Sequence, residues 1–433
     1  MRVVTKKIIL SLVLGVLLLA GGTLLHSNEA KAGVMNVRSV WVCFYEYSSI
    51  GLSNRTEAAF RKNATTMYNK ISKYGCTDVY FHVRAFDDAI YPSKVVKWSS
   101  YMCDDNKAPG YDPLKILVEL AHEKGLKFHA WMNPYRVTYD KILNPAKKSS
   151  INRIVKQVKE IVNNYDVDGI HFDDYFYLGQ KYDKVKQKTR CKNVNKLVKK
   201  IYKTVKAKSE DIQFGISPAG NYEYSMSIGA DVDTWMSKKG YIDYIVPQIY
   251  WSDQYKLNGK MTKLFSERLQ LWQEKNKLGI PMYIGMGLYR AGTDKDKYSP
   301  DYGWSKKSDN MATQLKKILK STCEGYSLFA YSDLGSKATK KEMKKFFKVL
   351  GWIELNQTEV TLKKGQTFNL KATWAPKMYK NGPDIKFRSM DEEVATVDKD
   401  GVVTAVAAKG KVIIQAYSGS KYTDCVVTIK KKR

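Results

Sequence analysis

One pattern recurs eight times between Val37 and Leu350: an apolar run of about seven residues ends in polar and aromatic residues and is followed, in most cases, by an amphipathic helical stretch. Continuous apolar runs are typical of buried parallel strands, which need a crossover connection, usually a helix. Eight such units predict a closed (β/α)8 TIM barrel of the α/β class. A doubly wound open sheet is the alternative, but no Gly-x-Gly-x-x-Gly motif follows the first strand, and the number of units favours closure.

The character of the sequence changes after Gly351. Residues 354–433 carry short alternating strands such as Glu359–Leu362, separated by turn signals such as Lys364-Gly365. This pattern of short strands and turns predicts a small all-β, Ig-like sandwich. A chain of 433 residues is long enough for both this domain and a barrel over residues 34–350.

Residues 1–32 have the pattern of a secretory signal peptide. A basic start precedes an apolar segment from Ile8 to Ala20, and Ala30-Lys31-Ala32 is a small-x-small cleavage signal. The apolar segment is shorter than the ~20 residues that a membrane-spanning helix needs, which argues against a retained anchor. We therefore expect cleavage after Ala32, a secreted or cell-wall-associated protein, and no stable membrane span after cleavage.

The formal net charge of +30 raises the question of an anionic partner. Lysines are spread along amphipathic helices such as Val194–Lys208, and together with export this spread argues against nucleic acid. A solvated basic face is the simple interpretation, and attraction to anionic wall polymers is the sharper one. The six cysteines show no pairing rhythm, which favours buried free thiols over a disulfide.

The C-terminal ends of the predicted strands are the expected location of the active site, because barrel enzymes place their catalytic residues there. The strongest signal lies in Asp168–Phe176, where strand alternation sends His171 and Asp173 to one side of the fourth strand. Glycoside hydrolysis typically uses two carboxyl groups, one protonated and one ionised. Asp173 is the candidate for the ionised role. The structural alternative is that Asp173 or Asp174 caps the loop or pairs with an arginine.

The second carboxyl group has several candidates. Glu46 ends the first strand, Asp174 adjoins Asp173, Asp88 follows the second strand, and Glu223 follows the fifth. Glu46 is narrowly favoured as the proton donor, with Asp174 the next choice. Residue order does not give the separation of the carboxyl groups, so retaining and inverting courses both stay open.

His82, His129 and His171 occupy what the sequence suggests are matching places on successive strands. Imidazoles that converge with Asp173 could hold a divalent metal that activates water. A polar layer that binds sugar hydroxyls or orients the acids is the favoured interpretation, because no compact metal-ligand motif accompanies the histidines. We predict neither a metal nor an organic cofactor.

The remaining strand ends combine amides, cations and aromatic faces, a mixture that suits a polyhydroxylated ligand whose hydroxyls need hydrogen bonds while its rings stack. The substrate-binding candidates are Arg84, Asp88, His129, Asn133, Tyr135, Arg136, His171, Tyr175, Asn221, Gln248, Tyr250, Trp251 and Tyr331.

Several of these strand ends resemble a known family. The motifs are Val40-Trp41-Val42, His82–Ser93, His129–Arg136, Asp168–Tyr177 and Pro247–Trp251. Together they resemble the glycosyl hydrolase-like 10 family of exported bacterial proteins, over nearly all of residues 34–350. The resemblance implies a barrel related to glycosidases and cleavage of peptidoglycan glycan strands that lack stem peptides.

Two further resemblances bear on the site and the tail. His171-Phe172-Asp173 is similar to the strand-four pattern of α-amylase-type barrels, which implies a nucleophilic role for Asp173. The acid that those enzymes carry after strand five has no counterpart in Ser217–Asn221. The segments Val394–Asp398 and Gly401–Val406 resemble the bacterial Ig-like group 2 domain, which implies a surface spacer or adhesive module.

The leading hypothesis is therefore an exported glycosidase that acts on cell-wall glycan, with Asp173 ionised and Glu46 or Asp174 as proton donor. A non-catalytic protein that binds cell-wall carbohydrate is the second hypothesis. A metal-dependent hydrolase built on the histidines is the third.

Overall fold

The computed structural model describes residues 35–104, 107–179, 182–292, 301–306, 308–379 and 382–431. The predicted signal peptide lies outside these residues. The chain divides into two compact units, one of residues 35–349 with 376–379 and one that begins at Leu350. Within the described ranges, no helix is both long and apolar enough to cross a membrane.

In the part of the first unit that the structure describes, eight parallel strands form the main sheet. They are β1 (Val37–Val42), β2 (Asp78–Arg84), β3 (Lys127–Met132), β4 (Gly169–Asp173), β5 (Gln213–Ser217), β6 (Tyr244–Ile245), β7 (Tyr283–Met286) and β8 (Gly325–Leu328). They pair in the order β7-β8-β1-β2-β3-β4-β5-β6. Parallel bridges from Ile245 to Met282 and from Gln248 to Gly285 join β6 and its continuation to β7. These bridges close the sheet, which confirms the predicted barrel.

Among the described residues, seven longer helices follow the strands and cover the sheet. They are α1 (Glu57–Lys73), α2 (Pro113–Glu123), α3 (Lys148–Asn164), α4 (Gln187–Lys206), α5 (Leu264–Lys275), α6 (Asn310–Leu319) and α7 (Lys340–Leu350). Their starts follow from the sequence: Asp112 accepts a hydrogen bond from the Lys115 amide, with Pro113 in the first helical position. Only two short helices, Tyr222–Ser227 and Val232–Trp235, connect β5 to β6.

The sixth strand is shorter than predicted. The apolar run Ile242–Ile249 predicts eight residues of strand, but ladder pairing covers only Tyr244–Ile245. Pro247 has no amide hydrogen and cannot donate to a ladder. The chain nevertheless keeps its direction, and Gln248 forms bridges to both Ala219 and Gly285. The end of this segment therefore still reaches the same edge of the barrel as the other strands.

The second unit is an all-β sandwich, as predicted. Its strands are β9 (Trp352–Leu355), β10 (Glu359–Lys363), β11 (Thr367–Asn369), β12 (Ala372–Ala375), β13 (Lys386–Ser389), β14 (Ala395–Val397), β15 (Val402–Ala405), β16 (Gly410–Ser418) and β17 (Lys421–Lys430). A four-stranded sheet, β10-β17-β16-β13, and a three-stranded sheet, β11-β15-β14, enclose a core that includes Leu370, Ile414 and Cys425. All six cysteines of the chain are buried free thiols.

Candidate active site

A pocket of about 100 Å³ opens at the C-terminal ends of the barrel strands. Its lining comes from almost every side of the mouth, because each strand ends there. The lining residues are Trp41, Cys43, Phe44, Tyr45, His82, Trp131, Asn133, Arg136, Asp173, Asp174, Tyr175, Ser217, Gln248, Tyr250 and Phe329. The position is the one that the fold predicts for chemistry.

Two adjacent carboxyl groups lie in this pocket. Asp173 is the last residue of β4, and its Oδ1 accepts hydrogen bonds from the Asp174 amide at 2.9 Å and from Gln248 Nε2 at 3.1 Å. Asp174 Oδ2 accepts a hydrogen bond from the Ala219 amide at 2.9 Å. Both side chains are therefore held at fixed positions by the ends of β4, β5 and β6.

The two carboxyl groups differ in their affinity for a proton. Burial raises the pKa of Asp173, and this rise is partly offset by hydrogen bonds from Asp174 and Gln248 and by the charge of Arg136. Burial raises the pKa of Asp174 further, and the neighbouring charge of Asp173 adds to the rise. Because like charges this close resist joint ionisation, the pair favours one proton, held on Asp174, and one charge, held on Asp173.

Arg136 is the one guanidinium among the residues that line the pocket, and it is only 8% exposed. Its Cζ lies 4.0 Å from the ring centre of Tyr175, 5.0 Å from that of Tyr139 and 5.2 Å from that of Phe86. Aromatic faces attract a cation in this range. Three rings therefore hold the guanidinium in place at the side of the pocket.

Trp131 and Asn133 present hydrogen-bonding groups to the pocket. Trp131 stacks on His82 with ring centres 3.8 Å apart, and its buried Nε1 has no hydrogen-bond partner among the residues that the structure describes. Asn133 Nδ2 donates to the Ala85 carbonyl at 2.8 Å, whereas its Oδ1 meets no donor at hydrogen-bond geometry within the same part of the chain. Trp131 Nε1 and Asn133 Oδ1, like both ring nitrogens of the lining residue His82, are thus buried polar atoms without a protein partner in the described part of the chain. We call Trp131, Asn133, Arg136, Asp173 and Asp174 the mouth group.

A second set of polar side chains lies deeper in the barrel and is fully paired. His171 Nε2 accepts from Trp41 Nε1 at 3.2 Å, so its protonated Nδ1 donates to the Tyr244 hydroxyl at 3.0 Å. That hydroxyl donates to His129 Nδ1 at 3.0 Å, and His129 Nε2 donates to Asp78 at 3.1 Å. We call these five residues the interior network. The Trp41 donor fixes the tautomer of His171.

The strand register corrects one sequence-based expectation about the histidines, and the interior network bears on another. Strand register aligns His82 with Trp131 and Trp131 with His171, but it aligns His129 with Gly169, two residues below His171. The three histidines therefore do not occupy matching places. Both ring nitrogens of His129 and of His171 form hydrogen bonds inside the barrel. Because these nitrogens are already engaged, the polar-layer interpretation is favoured over the metal site. Across the described residues, no group of three or more histidine, cysteine or acidic residues could hold a metal ion.

Glu46, the favoured proton donor, does not line the pocket. Its carboxylate accepts hydrogen bonds from the Cys43 amide and the Ser332 amide, both at 2.6 Å. Burial raises its pKa, but the two amides favour its charged form. Glu46 thus ties the end of β1 to the segment after β8. The prediction that it donates the catalytic proton is not supported by this position.

Other predicted binding residues also lie outside the pocket. Arg84 is fully buried and donates to the Asn133 carbonyl, and Asp88 accepts from the Phe86 amide. Asn221 caps the helix Tyr222–Ser227. The remaining candidates outside the lining are His129, Tyr135, His171, Trp251 and Tyr331. Those inside it are Asn133, Arg136, Tyr175, Gln248 and Tyr250, along with the acids Asp173 and Asp174.

The sequence analysis left several lining residues out of its catalytic and substrate-binding candidates, above all Trp131 and His82, and it considered His82 only as one of the three histidines. A signal was available: both precede the end of their strand by one to two residues and share an inward face with Arg84 and Asn133 by alternation. Trp41, Cys43 and Ser217 follow the same rule on β1 and β5. The lining of the pocket therefore includes the last inward-facing residues of the strands as well as residues of the loops that follow.

Comparison with known proteins places this chain among glycosyl hydrolases by sequence. It is 29% identical over 367 residues to the glycosyl hydrolase YngK of Bacillus subtilis, which covers 68% of this chain and 69% of the relative. It is 29% identical over 325 residues to the glycosyl hydrolase DigH of Escherichia coli K12, which covers 59% of this chain and 72% of the relative.

Among solved structures, the glycoside hydrolase domain of PgaB (BpsB) from Bordetella bronchiseptica has the same fold, with a TM-score of 0.52, 9% identity and coverage of 72% of this chain and 98% of that domain. The sequence profile of the glycosyl hydrolase-like 10 family matches residues 36–142, 136–189 and 179–303. The profile of the bacterial Ig-like domain (group 2) matches residues 352–428. The chain therefore belongs to the glycosyl hydrolase-like 10 family and carries a bacterial Ig-like domain in its C-terminal residues 352–428.

Proposed function

We propose that the protein is an exported glycoside hydrolase that cleaves the glycan strands of peptidoglycan. The observation that carries this proposal is the pair of adjacent carboxyl groups, Asp173 and Asp174, which share one pocket and differ in proton affinity. Two carboxyl groups with separated pKa values are the usual machinery of glycosidic bond cleavage. Asp174 takes the role of proton donor that the sequence analysis assigned narrowly to Glu46.

The chemistry follows from the two protonation states. Protonated Asp174 gives its proton to the glycosidic oxygen as the bond from that oxygen to the anomeric carbon breaks. Ionised Asp173 stabilises the positive charge that develops on the sugar ring and accepts a proton from the attacking water, whose oxygen forms the new bond. The cycle leaves the proton on Asp173, and transfer to its neighbour Asp174 restores the starting state.

The other members of the mouth group suit an N-acetylated sugar. An acetamido group offers one carbonyl acceptor and one amide donor, which complement the Trp131 Nε1 donor and the Asn133 Oδ1 acceptor. Its methyl group fits against aromatic walls such as Phe44 and Phe329. Peptidoglycan glycan consists of such sugars, and family resemblance supports the same substrate.

Several features of the whole chain support a site of action at the cell wall. The predicted signal peptide implies export, and the Ig-like domain suits a spacer or adhesive module outside the membrane. The net charge of +30 favours association with anionic wall polymers, which would weaken with added salt. These features support a location at the cell wall, whereas the proposed catalysis depends on the residues of the pocket.

The proposal is tested by incubating the purified protein with glycan strands stripped of stem peptides and with intact sacculi, and measuring new reducing ends. We expect products from stripped strands, and Asp173→Asn and Asp174→Asn should each abolish them. Lys206→Gln, at a salt bridge to Asp243 outside the pocket, serves as a control that should keep activity. An absence of products from the folded wild-type protein on both substrates would refute the proposal.

A non-catalytic carbohydrate-binding function is the second candidate. It is favoured by one observation: Glu46 is withdrawn from the pocket, and the two acids that remain are neighbours on one strand end, not groups on opposite walls. Retention of glycan without new reducing ends would support it. Turnover that is lost on treatment with EDTA would instead support the metal-dependent alternative.

A further inference from the structure

Arg136 is a buried cation that lines the pocket, and within the described ranges no carboxylate forms an ion pair with it. Two arginines in its neighbourhood do have such a partner, since Arg84 and Arg153 both contact Asp87. Arg136 forms no ion pair with any residue that the structure describes, and its Nε has no hydrogen-bond partner there. A buried charge is costly unless it is paired, so an unpaired guanidinium at a pocket wall points to an anionic ligand.

The protein's own acids do not fulfil this role. The charge of Arg136 lowers the pKa of Asp173, but the two groups act at a distance and form no salt bridge. Asp173 is already held by the Asp174 amide and Gln248, and Asp174 by the Ala219 amide. The rings of Phe86, Tyr139 and Tyr175 surround the guanidinium, with centres 4.0–5.2 Å from its Cζ, and the Tyr175 hydroxyl is in hydrogen-bonding contact with it. None of these neutral side chains balances its charge.

We propose that Arg136 binds a free carboxylate on the sugar next to the scissile bond, and so selects an acidic N-acetylated sugar. This inference rests on the proposed function. In peptidoglycan the only such carboxylate on the glycan is the lactyl group of muramic acid, which becomes an amide wherever a stem peptide is attached. The planar fork of Arg136 matches a carboxylate in two hydrogen bonds, but it cannot make this pairing with an amide.

The position of Arg136 therefore accounts for a preference for stripped strands in two ways: the lactyl group of a stripped strand is negatively charged, and it lacks the bulk of a stem peptide. Attachment of a stem peptide removes the negative charge, leaves the guanidinium unpaired in a buried pocket, and adds bulk at the same point. A neutral glycan such as a chitin oligosaccharide, which has the acetamido group but no lactyl group, should satisfy Trp131 and Asn133 and still leave Arg136 unpaired. Charge-assisted hydrogen bonds of this kind correspond to about 10- to 100-fold in binding or kcat/KM.

The test compares stripped glycan strands with the same strands after the lactyl carboxylates have been converted to methylamides. For the wild-type protein we expect kcat/KM to fall about 10- to 100-fold on amidation. In Arg136→Gln the ratio between the two substrates should fall to about one, and Arg136→Lys should retain part of it. Arg268→Gln, which removes a surface charge paired with Glu223 away from the pocket, should keep the wild-type ratio.

The binding of both glycans to Asp173→Asn, measured by calorimetry, separates this inference from the catalytic proposal. Discrimination in binding without turnover by the wild-type protein would support the role of Arg136 and refute hydrolysis. Turnover with equal rates on both substrates would support hydrolysis and refute the role of Arg136. Discrimination that persists unchanged in both a folded Arg136→Gln and a folded Arg136→Lys protein would also refute it.

Discussion

The mouth group and the interior network are both built from polar residues at the inner face of one barrel, yet they differ in how their hydrogen bonds are used. Every polar atom that links Trp41, His171, Tyr244, His129 and Asp78 points to another member of the network. In the mouth group, Trp131 Nε1, Asn133 Oδ1 and Arg136 Nε have no partner among the described residues. Paired polar groups specify and stabilise a fold, whereas unpaired ones are available to a ligand.

The same contrast predicts which substitutions affect activity and which affect stability. Removing one member of the interior network leaves a buried group without its partner and destabilises the fold. Replacing Asp173 or Asp174 by asparagine removes a charge or a proton that the reaction needs but keeps an oxygen that can accept the hydrogen bonds of the native carboxyl group, so the main effect is expected on activity. Matched substitutions in the two sets can therefore test the assignment directly.

The largest expected contrast is between the two buried aspartates Asp173 and Asp78. Asp173→Asn removes the charge that the reaction needs, so we expect kcat to fall by at least about 10³-fold with little loss of stability. Asp78→Asn disrupts the contact with His129, and we expect it to lower the free energy of unfolding by about 1–3 kcal/mol while kcat changes less than about tenfold. Reducing-end assays and chemical denaturation of both variants measure the two effects. A similar loss of kcat in both variants would remove the distinction.

A second contrast uses two tryptophans of the same barrel. Trp41→Phe removes a hydrogen bond to His171, whereas Trp131→Phe removes an Nε1 donor that has no protein partner in the described chain. Both substitutions delete the same atoms, so the cost of the cavity is comparable. We expect Trp131→Phe to raise KM about 5- to 10-fold and Trp41→Phe to be about 1 kcal/mol less stable than Trp131→Phe. Equal stability of the two variants, with unchanged KM, would contradict the assignment.

The pH dependence of the rate provides a third test. Asp173 must be ionised and Asp174 protonated, and burial raises the pKa of both groups. Activity should therefore fall on the acid side at a pH above the ordinary carboxyl pKa of about 3.9, and fall again on the alkaline side as Asp174 loses its proton.

His171 of the interior network should contribute no limb to this profile. Burial lowers the pKa of His171 well below its ordinary value, so its charge does not change near neutral pH. An aryl glycoside with a good leaving group needs no acid, so on this substrate the Asp174→Asn variant should keep most of the wild-type kcat and the acid limb, although it loses activity on the glycan. An equal loss of kcat on both substrates would contradict the role of Asp174 as proton donor.

The sequence was sufficient to predict the barrel, because the apolar period and the helix caps are local signals, and Asp112 with Pro113 is one example. It also placed Asp173, Asp174, Arg136 and Gln248 at strand ends, where the structure brings them together. It could not separate Glu46 from Asp174, since that choice depends on which amides each carboxylate meets, and the Ser332 amide lies 286 residues away from Glu46 along the chain.

The histidines show a second limit of the sequence. Their spacing from the strand ends suggested one shared level, but strand stagger in a closed barrel lowers His129 relative to His171. The partner that decides its role, Tyr244, comes from a strand far away in the sequence. Local patterns give the inward face of each strand, whereas the pairing of polar groups across the barrel depends on register.

The smallest expected effect is the change in protein stability when Asp174 of the mouth group is replaced. Because the pKa of Asp174 is raised in the folded protein, the native state holds this proton more tightly than the unfolded chain does. The bound proton of Asp174 makes its full contribution to stability at a pH below about 3.9, the pKa of the carboxyl group in the unfolded chain. This contribution is lost as the pH rises through the pKa of Asp174 in the folded protein. Asparagine keeps an oxygen that can accept the hydrogen bond from the Ala219 amide and does not ionise.

The difference in Tm between Asp174→Asn and wild type should therefore be near zero at pH 4 and become positive as the pH rises, reaching about 2 °C. Asp78→Asn should be less stable than wild type at both pH values, because its lost contact lies inside the barrel. Thermal unfolding of both variants across this pH range compares them. If Asp174→Asn lowered Tm throughout, Asp174 would belong with the interior network as a structural residue, and the stability cost that marks it as a functional one would be absent.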